Sequence, residues 1–122
     1  MELAEFTRRA VAVRALFAAD ETARSGAPWS RAELAQGFVG DVGALMKLVM
    51  AKEGRRAGPP DIDAKLAHEL ADCLWSVLVL ADAYQVDLER AFGETIDGLE
   101  RKLAASPPPE TARREQGVSE NP

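Results

Sequence analysis

Apolar residues recur along most of the chain at helical spacing, in four separate stretches. The first, from about Leu3 to Ala19, places Leu3, Phe6, Ala10, Val13 and Phe17 at alternating steps of three and four, the repeat of one helix face. Ser25-Gly26-Ala27-Pro28 closes it with residues that favour a loop. Ser30 then stands three positions before Glu33, the sequence form of a capping box. It predicts the start of a second helix, with Leu34, Phe38, Leu45 and Leu48 on one face and an end near Gly54. After a loop from Arg55 to Pro60, Asp61 or Asp63 is placed to cap a third helix that reaches about Tyr84. Asp87 is placed to cap a fourth, carrying Leu88, Phe92, Ile96, Leu99 and Leu103. No stretch alternates with the two-residue period of a strand, and no segment repeats. The pattern predicts an all-α domain over residues 1–104, a four-helix bundle-like arrangement in which short connections favour antiparallel neighbours. From 105 to 122, three consecutive prolines and the loss of apolar periodicity predict a Pro-rich, disordered C-terminal tail.

The third helix adds a constraint. Its Cys73 to Ala81 stretch is apolar apart from Ser76, so it presents greasy surface almost all the way round. A small four-helix domain has too little chain to cover such a helix on every side. Homo-oligomerisation, as a homodimer or homotetramer, is the simplest way to complete it.

Composition agrees and narrows the partners. Of 122 residues, 47% are hydrophobic and 6% aromatic, with alanine and leucine frequent, which suits one compact helical domain. A formal net charge of -5 argues against a broad grip on a nucleic-acid backbone. An acidic protein still binds a phosphate ligand when divalent cations stand between carboxylate and phosphate. The one cysteine, Cys73, lies inside the apolar run and has no partner for an internal disulfide, so it reads as core packing in a reducing compartment. The N-terminus has no basic segment followed by an apolar stretch, and no run approaches the length of a bilayer span. A cytoplasmic protein without membrane or nucleic-acid partners is the expectation.

Three acidic residues stand on or beside apolar surface; the plainer readings are a solvated face favoured by the helix dipole for Glu69 and Asp72, and for Asp41 a buried aspartate paired to an arginine or a backbone donor. Glu69-Leu70-Ala71-Asp72 runs straight into the apolar stretch, and at spacing i, i+3 the two carboxylates share a flank. On the second helix, Asp41 projects between Leu34, Phe38, Leu45 and Leu48, near the middle of the apolar face. Ionised carboxylates carried into such surroundings cost several kcal/mol each unless a cation or strong donors compensate them. The same helix holds Gly37, Gly40 and Gly43, each costing roughly 1 kcal/mol of helix propensity relative to alanine. Three of them within two turns predict the close approach of another helix or of a ligand.

Gly40-Asp41-Val42-Gly43-Ala44-Leu45, followed by Glu69-Leu70-Ala71-Asp72-Cys73-Leu74-Trp75 and then Val86-Asp87-Leu88-Glu89-Arg90-Ala91-Phe92, resembles the MazG-like all-α nucleoside triphosphate pyrophosphohydrolases. Their pattern is a helix with Glu-Glu-x-Gly-Glu-Leu, then a helix with Glu-x-x-Asp, then an apolar stretch. The resemblance covers roughly Trp29 to Lys102. It implies Mg²⁺ as cofactor, with Mn²⁺ as a substitute, and hydrolysis of a nucleoside triphosphate to the monophosphate and pyrophosphate. Asp41, Glu69 and Asp72 would be the metal ligands and the catalytic positions. The fourth acidic position is Ala44, which cannot coordinate a metal. Thr95 and Leu99 stand where relatives often carry Lys and Asn, whereas Arg101 is retained.

Carboxylates suit this task because a triphosphate is a multiply charged anion, and displacement at its α-phosphorus needs charge neutralisation and alignment. Three of them hold one Mg²⁺ with waters and phosphate oxygens completing the shell; two ions are harder to hold with three. Around this centre, Lys47 and Arg101 are candidate phosphate contacts and Trp29 a candidate stacking surface for the base. The plainer readings are a solvated lysine on a helix flank and a tryptophan that staples its loop to the bundle. Arg55 and Arg56 read as a basic loop, Trp75 as core, and His68 as a hydrogen-bond partner of Asp72 rather than a ligand of hard Mg²⁺. Two functions follow: a pyrophosphohydrolase that cleans nucleotide pools, or a catalytically weakened relative acting as a nucleotide-binding or helical interaction module.

Overall fold

The structure is a computed structural model that describes residues 2–106. Those residues form four helices and no strand: α1 (Leu3–Ser25), α2 (Arg31–Lys52), α3 (Ile62–Ala83) and α4 (Leu88–Ala105). The Pro-rich segment expected to be a disordered tail lies, but for its first two residues, outside the described residues.

Helix α1 runs past the apolar repeat, which ends at about Ala19, to the loop signal expected at Ser25-Gly26-Ala27-Pro28. Ala18 to Arg24 contains no breaker, and Arg24 pairs with Asp20 one turn back, so the helix continues to the first residue that ends it cheaply. That residue is Gly26, at φ +85°, whose backbone N–H donates to the Thr22 carbonyl. The capping box of α2 is formed as predicted: Glu33 N donates to Ser30 Oγ and Ser30 N to Glu33 Oε1, both at 3.1 Å. Helix α2 stops at Lys52, two residues before Gly54, which takes φ +75°.

The start of α3 corrects the sequence reading. Asp61 is the N-cap residue, yet its side chain accepts no capping hydrogen bond and lies 3.9 Å from Lys65 Nζ instead. Asp63 is taken by Lys52 at 2.6 Å, an ion pair that ties the end of α2 to the start of α3. Gly58 makes the connection tight: a Cβ there would stand 2.6 Å from that of Ala51.

The chain divides into two compact units, one ending at Glu89 and one beginning at Arg90. In the first, α3 is the central element and packs against both α2 and α1, which makes this part a helical bundle. Its core is small. Ala10, Leu78 and Val79 are the buried apolar residues, with Leu3, Leu34, Trp75 and Leu88 packed around them. Trp75 is fixed twice, by an Nε1–H···O bond of 3.2 Å to the Ala10 carbonyl and by an edge-on contact with Phe17 at 5.8 Å between centroids. The apolar run of α3 is therefore only partly covered: Ser76, Leu78 and Val79 are buried, whereas Leu74 is 47% exposed. In the second unit, α4 carries Phe92, Ile96, Leu99 and Leu103 along one stripe, with Phe92 63% and Leu103 72% exposed.

Two expectations about α2 need revision. Of its glycines, only Gly37 has a close neighbour, the Trp29 ring; nothing lies within 4 Å of a Cβ built at Gly40 or Gly43. By length and composition, moreover, Arg31–Lys52 is apolar enough to cross a membrane, although no unbroken apolar run is. Asp41 at its midpoint would be expensive in hydrocarbon, by about 2.5–3.5 kcal/mol. Here it sits instead on the flank that meets α3.

Candidate metal centre

Helical geometry brings the three acids together. Leu34, Phe38, Leu45 and Leu48 turn the same face of α2 inward, and Asp41 is half-buried among them. On α3, Glu69 and Asp72 lie one turn apart on the flank that α2 covers. One oxygen from each of Asp41, Glu69 and Asp72 lies within 4.8 Å of the others. All three residues are half-buried, and no other Asp or Glu and no His or Cys among the described residues joins the group. Ala44 is one turn along α2 from Asp41 and equally half-buried.

The surroundings of this cluster bear on what it can hold. Glu69 Oε2 is shut off from solvent and has no hydrogen-bond partner. Such an oxygen costs about 1–3 kcal/mol when neutral and more when charged. The Cys73 thiol, one residue beyond Asp72, has its pKa pushed up by burial first and then by Asp41, Glu69 and Asp72, whose charges all bear on the same volume. His68 Nε2 lies 3.2 Å from Asp72 Oδ2, within ion-pair distance. The donor set is entirely of hard carboxylate oxygens, one of them without a donor of its own. It fits an oxygen-loving divalent cation such as Mg²⁺ or Mn²⁺ and gives no soft ligand to a thiophilic one.

Asp41 also lines a cavity of about 270 Å³ between α1, the Trp29 loop, α2 and α3. Phe17, Trp29 and Trp75 supply its aromatic wall, and Arg14, Glu21 and Ser76 its polar atoms. Trp29 is held by its backbone: its N–H donates to Glu21 Oε1 at 2.8 Å, and its carbonyl accepts from Arg14 Nη2 at 2.9 Å. Arg14 Nη1 in turn donates to Glu21 Oε1 at 2.9 Å. The Trp29 N–H, and then Arg14, hold the Glu21 carboxyl below the ordinary glutamate range, against the opposing effect of its partial burial. Gly37 gives the indole room, since a Cβ there would stand 3.2 Å from Trp29 Cζ3.

Of the remaining candidates in the first unit, Lys47, Arg55 and Arg56 do not join the cluster. Lys47 is exposed and, six positions after Asp41, projects about 120° away from it around α2. Arg55 and Arg56 are exposed in the loop after α2. Arg101 is exposed on α4, in the second unit. Arg14 and Glu21 were missed from the sequence, although their i, i+7 spacing on the Ala10, Phe17 flank of α1 is a legible sign of two charges turned inward.

No protein-family model, curated protein or solved structure matches this chain.

Proposed function

We propose that this chain is a divalent-cation-dependent nucleoside triphosphate pyrophosphohydrolase. It converts a nucleoside or deoxynucleoside triphosphate and water to the monophosphate and pyrophosphate. The observation that carries the reading is the convergence of Asp41, Glu69 and Asp72, from two helices, to within 4.8 Å on an otherwise apolar face. Their likeness to the acidic positions of the MazG-like enzymes gives the substrate class. Mg²⁺, or Mn²⁺ in its place, supplies positive charge beside the phosphates and a polarised water.

The chain's own residues do the positioning. Asp41, Glu69 and Asp72 fix the cation, and the buried Glu69 Oε2 gains the partner it otherwise lacks. Phe17, Trp29 and Trp75 line the cavity next to Asp41, where a base would pack against aromatic surface while its phosphates reach the carboxylates. Arg14 and Glu21 keep Trp29 in place on the cavity wall. In the reaction, the water oxygen bonds to the α-phosphorus as the bond from that phosphorus to the α,β-bridging oxygen breaks. Pyrophosphate leaves with the electron pair, and a proton is released. The uncovered apolar surface of α1 and α3, with Phe6, Val13 and Leu74 exposed, supports pairing of subunits as a homodimer or homotetramer.

Pyrophosphate release screened over standard and damaged nucleoside triphosphates, with and without Mg²⁺, tests the reading. Asp72→Ala and Glu69→Ala should abolish Mg²⁺-dependent release while leaving the helical circular dichroism intact; undiminished release in both variants would refute the assignment. Ala44 favours a second reading, a weakened relative that binds nucleotide without turning it over. Nucleotide binding with no pyrophosphate release from any substrate would select it.

A further inference from the structure

We infer that the nucleotide-free protein holds one divalent cation per chain, and that Ala44 is the position whose missing carboxylate prevents a second. The inference rests on the metal centre proposed above and concerns how many ions it takes.

The ligand set closes at three. Asp41, Glu69 and Asp72 share one volume, and no further Asp, Glu, His or Cys among the described residues comes within range of them. His68 Nε2 stands 3.2 Å from Asp72 Oδ2 without joining the cluster, and Cys73 does not join it either. Charge decides what such a set can carry. One divalent ion among three carboxylates leaves a single net negative charge, which waters and a half-solvated Asp72 tolerate. A pair of ions would leave one positive charge uncompensated in a half-buried site. The two ions would also repel four times as strongly as unit charges at the same separation. Two-ion centres hold their cations about 3.5–4 Å apart and need carboxylates to bridge and flank them. Three side chains that must also share one ion leave too few oxygens.

Ala44 is where the fourth would come from. It lies three residues after Asp41, so it points to the same flank one turn along α2, and it is half-buried in the same way. A glutamate there would bring its carboxylate to the cluster and neutralise a pair of ions. In the protein as it stands, any second ion arrives as the counter-ion of the triphosphate.

The test is a Mn²⁺ titration of the full chain without nucleotide, with free Mn²⁺ followed by electron paramagnetic resonance. We expect one tight ion per chain, none in Glu69→Gln, two in Ala44→Glu and one in the uncharged control Ala44→Gln. Two ions in the unaltered protein overturn the inference and leave the proposed activity standing. No ion at all sinks the metal centre and the activity with it. A folded Ala44→Glu protein, judged by circular dichroism, that still binds one ion overturns the role given to Ala44. Should that variant not fold, the count in the unaltered protein alone decides.

Discussion

Glu69→Gln should stabilise the protein without metal and destabilise it relative to wild type when metal is present. The substitution keeps the size and shape of a side chain whose Oε2 is buried and unpartnered, and removes one of three like charges held within 4.8 Å. At that separation a pair of unit charges repels by about 1 kcal/mol in water and by roughly 3.5 kcal/mol at an effective dielectric constant of 20. The Asp72 side chain is 42% exposed, which puts the pairs toward the aqueous limit. Relieving two of them gives about 2 kcal/mol. For a domain of this size that corresponds to a rise in Tm of roughly 5–10 °C in EDTA. If the proposed metal centre holds, Mg²⁺ at a hundred times its Kd would stabilise the wild type by about 2.7 kcal/mol, as an ion that binds the folded state alone does. The variant has lost a ligand and should not respond. Thermal melts in EDTA and in Mg²⁺ should therefore rank the two proteins in opposite orders. A variant that melts below wild type in EDTA, or that gains as much from Mg²⁺, shows that the three carboxylates do not share an ion.

Other consequences follow from the glycines and from the Trp29 clamp. Gly40→Ala and Gly43→Ala should each raise stability by about 0.5–1 kcal/mol in urea unfolding, because nothing stands near either Cβ position and alanine is the better helix former. Lower stability in both would mean that another subunit lies against that flank. Gly58→Ala should lose about 1–3 kcal/mol, since its Cβ would meet that of Ala51 at 2.6 Å; unchanged urea unfolding would refute the packing of that loop. Glu21 has a lowered folded-state pKa, so its contribution is complete above the unfolded value of about 4.3 and disappears as pH falls through the lowered one. The Tm difference between wild type and Glu21→Gln should accordingly be widest near neutrality and shrink below about pH 4; a gap independent of pH would exclude the ion pair as its source.

What the sequence made legible depended on how local the cause was. Ser30 and Glu33 satisfy each other's backbone groups within one turn, so their spacing alone fixed the start of α2. Asp41 could be placed on the inward face because helical periodicity relates it directly to Leu34, Phe38, Leu45 and Leu48. Glu69 and Asp72 followed for the same reason. Features that depend on a second element were hidden. Asp63 has the residue type of a cap, but it is drawn to Lys52 on another helix. Arg14 and Glu21 sit on α1, yet what they hold is the backbone of Trp29 in a loop. The apolar repeat of α1 fades after Phe17, but helix propensity and the Asp20–Arg24 pair carry the backbone on to Gly26, the loop signal legible in the sequence.

Three departures from local rules lie close together. A carboxylate on the apolar face of α2, a glycine one turn before it and a buried carboxylate oxygen without a donor all lie around Asp41. Other described segments follow local rules: α2 opens on a full capping box, α1 closes on a left-handed glycine, and exposed charges of α1 and α4 pair at i, i+4. Each of the three departures lowers stability by itself, and no protein donor meets Glu69 Oε2. Gly37 seats Trp29 at the edge of the cavity, and Asp41 belongs both to that cavity and to the acidic cluster. A ligand that put an aromatic ring in the one and cation-bound phosphates at the other would offset all three together. A cation alone would account for the carboxylates and leave the aromatic wall of the cavity unexplained, which favours the proposed nucleotide with its metal over a metal by itself.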